Sequence, residues 1–437
     1  MAKNGVGARK TKYDGYGHVT GKTIYASDVK KAGALICKVL RCPYDKARIL
    51  SIDTSEAKKM PGVFDVITKD DVPYNRFAMV PDNHVLAEEI TRFRGQPVAA
   101  VAAATKEQAL DALAKIKVEY EELPAVFDPE EAMKPDAPQV RPEGNIHMYQ
   151  VGDELKDTRI IRRGDIEKGF AEADYIVEGR YKIPCIEHAP IETCASLAYM
   201  DETGTLVIHS KTQGVYFVMG DMANVWQLPM NKMKFVGNTL GGSFGSGNSV
   251  MTDHIAGLLA LRTGKPVSFQ LTRKEEMMAS TISTPWIFEI KDGVRKDGKI
   301  TARYIHVLHD CGAFTELGEY ASEKNANLVA GANYIENLAV DSQMVYTNKP
   351  ASGSKRGFGV NVGQFAEQVQ LNKDAEACGI SPMEIRFINA FHEGDHTHAG
   401  DVLRAVSTVE TLQGVAKMAD EKLDDKYLEM SSREVAK

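Results

Sequence analysis

Two observations predict an α+β fold for this chain. Strand-length apolar runs are mixed along it with short amphipathic helical stretches, and its 43% hydrophobic and 26% charged residues are those of an ordinary globular protein. Its 437 residues leave room for two or three domains, each with its own buried core.

From about Gly33 to Pro124 the elements alternate quickly. "GALICKVL" and "KARILSID" read as strands, "VFDVIT" as a third after the Pro61-Gly62 turn, and the continuous apolar run "QPVAAVAAA" as a buried fourth. Thr105 and Gln108 form a capping box for the helix "TKEQALDALAKI", whose Ala109, Leu110, Leu113 and Ile116 share one face. "KVEYEEL" alternates as an edge or half-exposed strand does. Prolines 124, 129, 135, 138 and 142 then arrive among acidic and polar residues with little periodicity, the composition of a connector. Beyond them come a short helix, "GDIEKGFAEA", and the strands "YIVEGRYKI", "TLVIHSKTQ" and "NKMKFVG". "SVMTDHIAGLLALRTG" reads as a helix closed by a glycine C-cap. "PVSFQLT" and "ARYIHVLHD" add strands, and "AEQVQLNKDAEACG" and "VSTVETLQGVAKMADEKL" add helices. The expected division is a domain over 15–125, a linker over 126–162 and a second domain over 163–437.

A net charge of −7 argues against nucleic acid or an anionic membrane as partner, because both require a basic field. No apolar run approaches the roughly 18 residues of a membrane span, and "MAKNGVGARKTKYDGYG" lacks the core of a signal peptide, so a cytoplasmic location is expected. Cys37, Cys42, Cys185, Cys194, Cys311 and Cys378 are scattered without a C-x-x-C pair. They are expected to be buried free thiols, leaving any iron–sulfur cluster to another chain.

The stretch "NTLGGSFGSGN", 238 to 248, sits between a strand and a helix and admits several readings. Gly241, Ser243 and Gly245 have the spacing of a nucleophile elbow, and Asp310 with His392 or His396 follows in the order a serine hydrolase needs. A dinucleotide fingerprint would require G-x-G-x-x-G and an acidic residue closing the next strand, which ends at Arg273 instead. An anion cradle and a purely structural turn are the remaining readings. A second glycine loop, "SGSKRGFGVNVG", brings Lys355 and Arg356 beside glycines and adds the flat face of Phe358. Two such loops on one chain point to one large anionic cofactor. "HEGDHTH", His392 to His398, lacks the fixed helical face of a metal motif and reads as a solvated loop.

These residues also carry a resemblance. "HVTGKTIYASDV", "ARILSIDTSEAKKMPGVFDVITKDDVP" and "RFRGQPVAAVAAATKEQALDALAKIKVEYEELPAVFDPEEAM" resemble the α/β hammerhead domain of the xanthine oxidase family of molybdenum hydroxylases. "EHAPIETCASLAY", "KTQ", "GGSFGSG", "KRGFG" and "MEIRFINAFHEGD" are similar to the first part of that family's molybdopterin-binding region. The resemblance implies a molybdenum–molybdopterin cofactor, either as such or in its cytosine dinucleotide form. It also implies a large subunit of a split enzyme such as nicotinate dehydrogenase, with a medium molybdopterin subunit, a [2Fe–2S] subunit and an FAD subunit as partners.

Carried over residue by residue, Gln213 would hydrogen-bond an apical molybdenum ligand, and Gly242, Ser243, Phe244 and Gly245 would lie beside the metal, as would Arg356 and Gly357. Asn248, Lys324, Lys355 and Phe358 would face the substrate. No protein atom is expected on the metal, and the general base is expected on the partner, so this chain would have no activity alone. The implied reaction is hydroxylation of an electron-poor carbon of a nicotinate-like N-heteroaromatic, with electrons leaving through [2Fe–2S] clusters to FAD. Oxidation of a purine or aldehyde and reductive dehydroxylation of an aromatic are the alternatives. Family members that oxidise xanthine carry a glutamate at the position of Asn248 and an arginine at that of Lys324, and Lys355 replaces an aromatic. The implied pocket is polar and cationic.

Overall fold

The structure, a computed structural model, describes residues 5 and 7–433 of the chain. Residues 1–4, 6 and 434–437, including the start of the "MAKNGVG" stretch and the end of the domain expected over 163–437, lie outside the described residues. The described chain forms two compact units. One holds the residues up to Thr91, Gly95–Glu121 and Ala189–Ser280; the other holds Arg92–Arg94, Glu122–His188 and the residues from Thr281 onward.

The first unit is built on a seven-stranded mixed sheet in the order Met233–Gly237, Leu206–Ser210, Ala195–Met200, Val267–Gln270, Leu35–Arg41, Pro97–Ala103, Val63–Ile67. Its two sequence segments are joined by one parallel pairing, Leu35 opposite Val267 and Ile36 opposite Ser268. This differs from the division expected at residue 163, because 189–280 shares its sheet and its core with the earlier segment. Pro97–Ala103 is buried along almost its whole length, as its unbroken apolar run requires. Helix Asp253–Thr263 is buried over its first eight residues and ends on Gly264 at φ 64°, whose N–H donates to the Ala260 carbonyl. A Cβ on Gly257 would strike the Trp226 ring, so this helix sits close to its neighbour only because that position is glycine.

Some expectations change in detail. The Thr105 side chain accepts from the Gln108 N–H, but the Gln108 side chain lies against Gly62 rather than closing a capping box. Ala112, not Leu110, faces the core; Leu110 is 46% exposed. Strand Lys117–Glu122 edges a three-stranded sheet with Ala47–Asp53 and Ile90–Thr91. Cys185 is exposed and Cys378 half-buried, whereas Cys37, Cys42, Cys194 and Cys311 are buried free thiols.

The second unit has a five-stranded sheet, Tyr175–Ile183, Trp286–Val294, Ile300–Asp310, Asn337–Val345, Arg159–Arg163, with helix Val360–Cys378 packed on its first two strands. The segment 126–162 is not a loose connector. It carries helix Pro129–Ala132, capped by the Asp128 carboxylate, and a hairpin of Tyr149–Val151 with Glu154–Lys156. Val126, Ala132, Val140 and Tyr149 are buried against Ile287, Leu308, Met344 and Val345. Its prolines shape a chain that is pinned by side chains: Val126 N–H donates to Asn348 Oδ1 at 2.8 Å and Val140 N–H to Asn145 Oδ1 at 2.7 Å.

Candidate cofactor site

In the first unit, the strand Leu206–Ser210 delivers Lys211, Thr212 and Gln213 against the loop 241–248. Gln213 N–H donates to the Gly247 carbonyl at 2.8 Å, and Thr212 Oγ1 donates to the same oxygen at 3.0 Å. The Gln213 side-chain Oε1 accepts from Ser243 Oγ at 2.5 Å and from Gly245 N–H at 3.1 Å. These two donors orient the amide: its oxygen is committed to the loop, and its NH2 is presented from an exposed residue.

Ser243 is held just as firmly. Its hydroxyl donates to Gln213 and accepts from Gly247 N–H at 2.7 Å. The Ser243 side chain therefore locks a turn, and no imidazole is among its hydrogen-bond partners here, so the hydrolase reading loses its base. Asp310, the acid of that reading, is buried in the second unit and engaged by Lys349 Nζ at 2.6 Å. Gly242 and Gly245 adopt φ of 97° and 116°, with Phe244 between them at 55° and 47% exposed. Such left-handed backbone costs a non-glycine residue roughly 1–2 kcal/mol. Asn248 follows, half-buried, at the end of the same turn, its N–H donating to the Gly245 carbonyl at 3.0 Å.

In the second unit, Lys355, Arg356, Gly357 and Phe358 precede helix Val360–Cys378. Gly357, Phe358 and Gly359 are consecutive left-handed residues at φ 95°, 48° and 87°. Helix Gly318–Leu328 backs the loop: Asn325 Nδ2 donates to the Gly359 carbonyl at 2.7 Å, and a Cβ on Gly359 would collide with the Ala321 carbonyl. A Cβ on Gly357 would lie 2.6 Å from Asn361 Oδ1. Arg356 and Gly357 are exposed, and Lys355 is half-buried. Lys324 is exposed on the helix that borders the loop, one residue before Asn325. Phe358 packs partly against the core of this unit, with its ring 6.4 Å from that of Tyr320.

Thus Gln213, Gly242, Ser243, Phe244, Gly245 and Asn248 are gathered in one unit, and Lys324, Lys355, Arg356, Gly357 and Phe358 in the other. Sequence reasoning assigned no role to Glu192, Lys211 and Glu276, which lie buried directly behind the first loop. The one signal is Glu192, a charged residue inside the largely apolar stretch "PIETCA"; Lys211 and Glu276 lie in the polar stretches "SKTQG" and "RKEEM", which carry none. Around the 392–398 cluster, Arg163 Nη1 donates to the His396 carbonyl at 2.6 Å, and burial pulls the His398 imidazole down to about 4. Among the described residues, no group of three or more His, Cys, Asp or Glu is placed to hold a metal ion.

Comparison with known proteins shows the family. A family model described as "Molybdopterin cofactor-binding domain" matches residues 151–390, and one described as "Aldehyde oxidase and xanthine dehydrogenase, a/b hammerhead domain" matches 20–124. The chain is 32% identical to the nicotinate dehydrogenase large molybdopterin subunit of Eubacterium barkeri, over 95% of this chain and 96% of that protein. It is 36% identical to a probable xanthine dehydrogenase subunit of Bacillus subtilis, over 85% of this chain and 49% of that protein, so it spans about half the length of that relative. Among solved structures, the aldehyde oxidoreductase of Desulfovibrio gigas superposes with a TM-score of 0.87 at 29% identity, over 93% of this chain and 46% of that one. Quinoline 2-oxidoreductase from Pseudomonas putida 86 superposes with a TM-score of 0.86 at 27% identity, over 93% and 53% of the two chains. With one model covering more than half its length and a relative matched nearly end to end, this chain belongs to the xanthine oxidase family as a molybdopterin-binding large subunit.

Proposed function

We propose that this subunit works within a multi-subunit molybdenum hydroxylase acting on a nicotinate-like, anionic N-heteroaromatic, located in the cytoplasm. The observation that carries the reading is the Gln213 amide, whose oxygen is fixed by Ser243 and Gly245 while the residue itself is exposed. On the first glycine loop, Gly242 is half-buried at φ 97° without a side chain and Gln213 is exposed, so backbone and amide are both open to a large ligand. When bound, the molybdenum–molybdopterin group, in its cytosine dinucleotide form or without it, supplies two-electron oxidation with oxygen drawn from water.

This chain's residues bind and orient. In the first unit Gln213 would donate through Nε2 and the backbone at Gly242–Gly245 would hold the cofactor; in the second, the family resemblance implies the same for the backbone at Arg356–Gly357 and a substrate contact for Phe358. Lys324 and Lys355 add positive charge where an anionic substrate gains, and Asn248 takes the place of the acidic side chain of purine-oxidising members. The base, the [2Fe–2S] clusters and FAD belong to a medium molybdopterin subunit and to two further partners. That the relative matched nearly end to end bears the name nicotinate dehydrogenase supports this choice over purine, aldehyde or dehydroxylation chemistry.

Co-expression with the partner chains, followed by metal, pterin and flavin analysis, tests the reading. Molybdenum and pterin in equal amounts with this chain are expected, and a complex free of both overturns it. Lys324→Met and Lys355→Met then test the substrate class. At least one should raise KM for nicotinate about tenfold, equivalent to roughly 1.4 kcal/mol. Unchanged KM in both removes the anionic-pocket assignment.

A further inference from the structure

Behind the first glycine loop lies a chain of buried charges, none of which touches the loop's outer surface. Glu192 is 8% exposed, and it grips Gly241 twice. Its N–H donates to the Gly241 carbonyl at 3.2 Å, and its Oε2 accepts from the Gly241 N–H at 2.7 Å. A Cβ on Gly241 would stand 2.6 Å from the Glu192 Cβ, so this clamp closes only on glycine. The Glu192 carbonyl in turn accepts from Lys211 Nζ at 2.6 Å. Lys211 Nζ lies 3.8 Å from Glu276 Oε1, with both side chains at most 1% exposed, and Glu276 Oε2 accepts from the Cys194 N–H at 2.8 Å. Lys211 stands two residues before Gln213, and its own carbonyl would be 3.2 Å from a Cβ on Gly247.

Buried ions lose their hydration, and a well-packed apolar set of similar volume often serves stability as well. What charges provide here is direction. A carboxylate with two oxygens and an ammonium with three donors fix both ends of one turn: Glu192 holds its start at Gly241, and Lys211 holds the strand end that carries Gln213.

We propose that Glu192 and Lys211 are positioning residues that set the first glycine loop and the Gln213 amide in the shape that accepts the pterin-bound metal. Neither contacts the cofactor; both act through Gly241 and Gln213. The proposal rests on the reading that Gln213 and this loop hold the cofactor.

The test uses the co-expressed complex carrying Glu192→Ala, Glu192→Gln or Gln213→Ala, assayed for molybdenum and pterin per complex and for hydrogen exchange of peptides covering 238–249. Glu192→Ala should speed exchange there and lower molybdenum and pterin occupancy about tenfold or more, the scale of losing a hydrogen bond to a charged group. Glu192→Gln keeps an oxygen for the Gly241 N–H and should recover most of both. Normal exchange and full occupancy in Glu192→Ala overturn the positioning role. Faster exchange with full occupancy, in Glu192→Ala and Gln213→Ala alike, upholds the clamp but overturns the assignment of this loop to the cofactor. Should Glu192→Ala fail to fold, Glu192→Asp replaces it: the carboxylate withdrawn by one methylene should raise exchange over 238–249 above that of Glu192→Gln, and equal exchange overturns the proposal.

Discussion

The two glycine loops each hold a Phe-Gly pair in the left-handed region, by different means. Each places a phenylalanine in the left-handed region between glycines, Phe244 at φ 55° and Phe358 at 48°. Around Phe244 the shape is enforced by polar contacts: Ser243, Gln213, Gly247 and the Glu192 clamp account for the turn, and the ring itself is 47% exposed. Around Phe358 the ring packs on the unit's core, and the loop continues into a helix that is held from within. That helix contributes Glu367 and Asp374 to a fully buried cluster around Arg303, which donates to Asp292 at 2.8 and 2.6 Å and to Glu367 at 3.3 Å, with Asp374 3.7 Å away. A strained conformation persists only where its surroundings over-determine it. One loop is held by hydrogen bonds within its turn and to Glu192; the other is held by ring packing and by Asn325 at Gly359, and leads into a helix anchored by a buried ion cluster.

Arg303 offers the most forceful test of this difference. Replacing it with leucine leaves Asp292 and Glu367 buried without their cation, so Arg303→Leu should destabilise the second unit by about 3–5 kcal/mol. Denaturant unfolding of the purified chain would show it, and a loss below about 1 kcal/mol would mean that the helix is held by packing alone.

Next in size is the contrast between the phenylalanines. Phe358→Gly relieves the left-handed strain but removes a half-buried ring, for a net loss of about 1–2 kcal/mol. Phe244→Gly relieves the same strain at an exposed site, where glycine's greater unfolded-state freedom offsets the gain, leaving stability within about 0.5 kcal/mol of the parent. Equal losses in the two variants, measured by the same unfolding experiment, would erase the difference between the loops.

A finer test is the pH response of the buried cluster. Burial and the neighbouring Asp292 push the Asp374 carboxyl up to about 10, so it stays protonated in the native state near neutrality. Its folded value lies above its unfolded one. Its contribution to stability is therefore fully present below the ordinary carboxylate range, near 4, and is lost as pH rises through about 10. Asp374→Asn, which cannot ionise, should flatten that decline in unfolding free energy, measured from roughly pH 5 to roughly pH 10. An unchanged slope would show that Asp374 is ionised in the folded chain.

Much of this was legible in the residues themselves. The strand-length runs, the helix closed at Gly264 and both glycine loops are local signals, because glycine's left-handed freedom, the 3.6-residue helical period and strand alternation act within a few residues, whereas Gln213 stood out only through the family resemblance. The non-local features come from the tertiary structure. Nothing near Leu35 announces that it pairs with Val267, a contact that moves 189–280 into the same unit as the hammerhead segment. Nothing in "AVFDPEEAMKPDAPQV" distinguishes a loose linker from a chain pinned by Asn348 and buried against a sheet. Lys211, Glu276 and Arg303 read locally as solvated charges. Their burial, and hence their hold on the two loops, follows from strands and helices that meet from far apart along the chain, where a single sequence carries no pattern of its own.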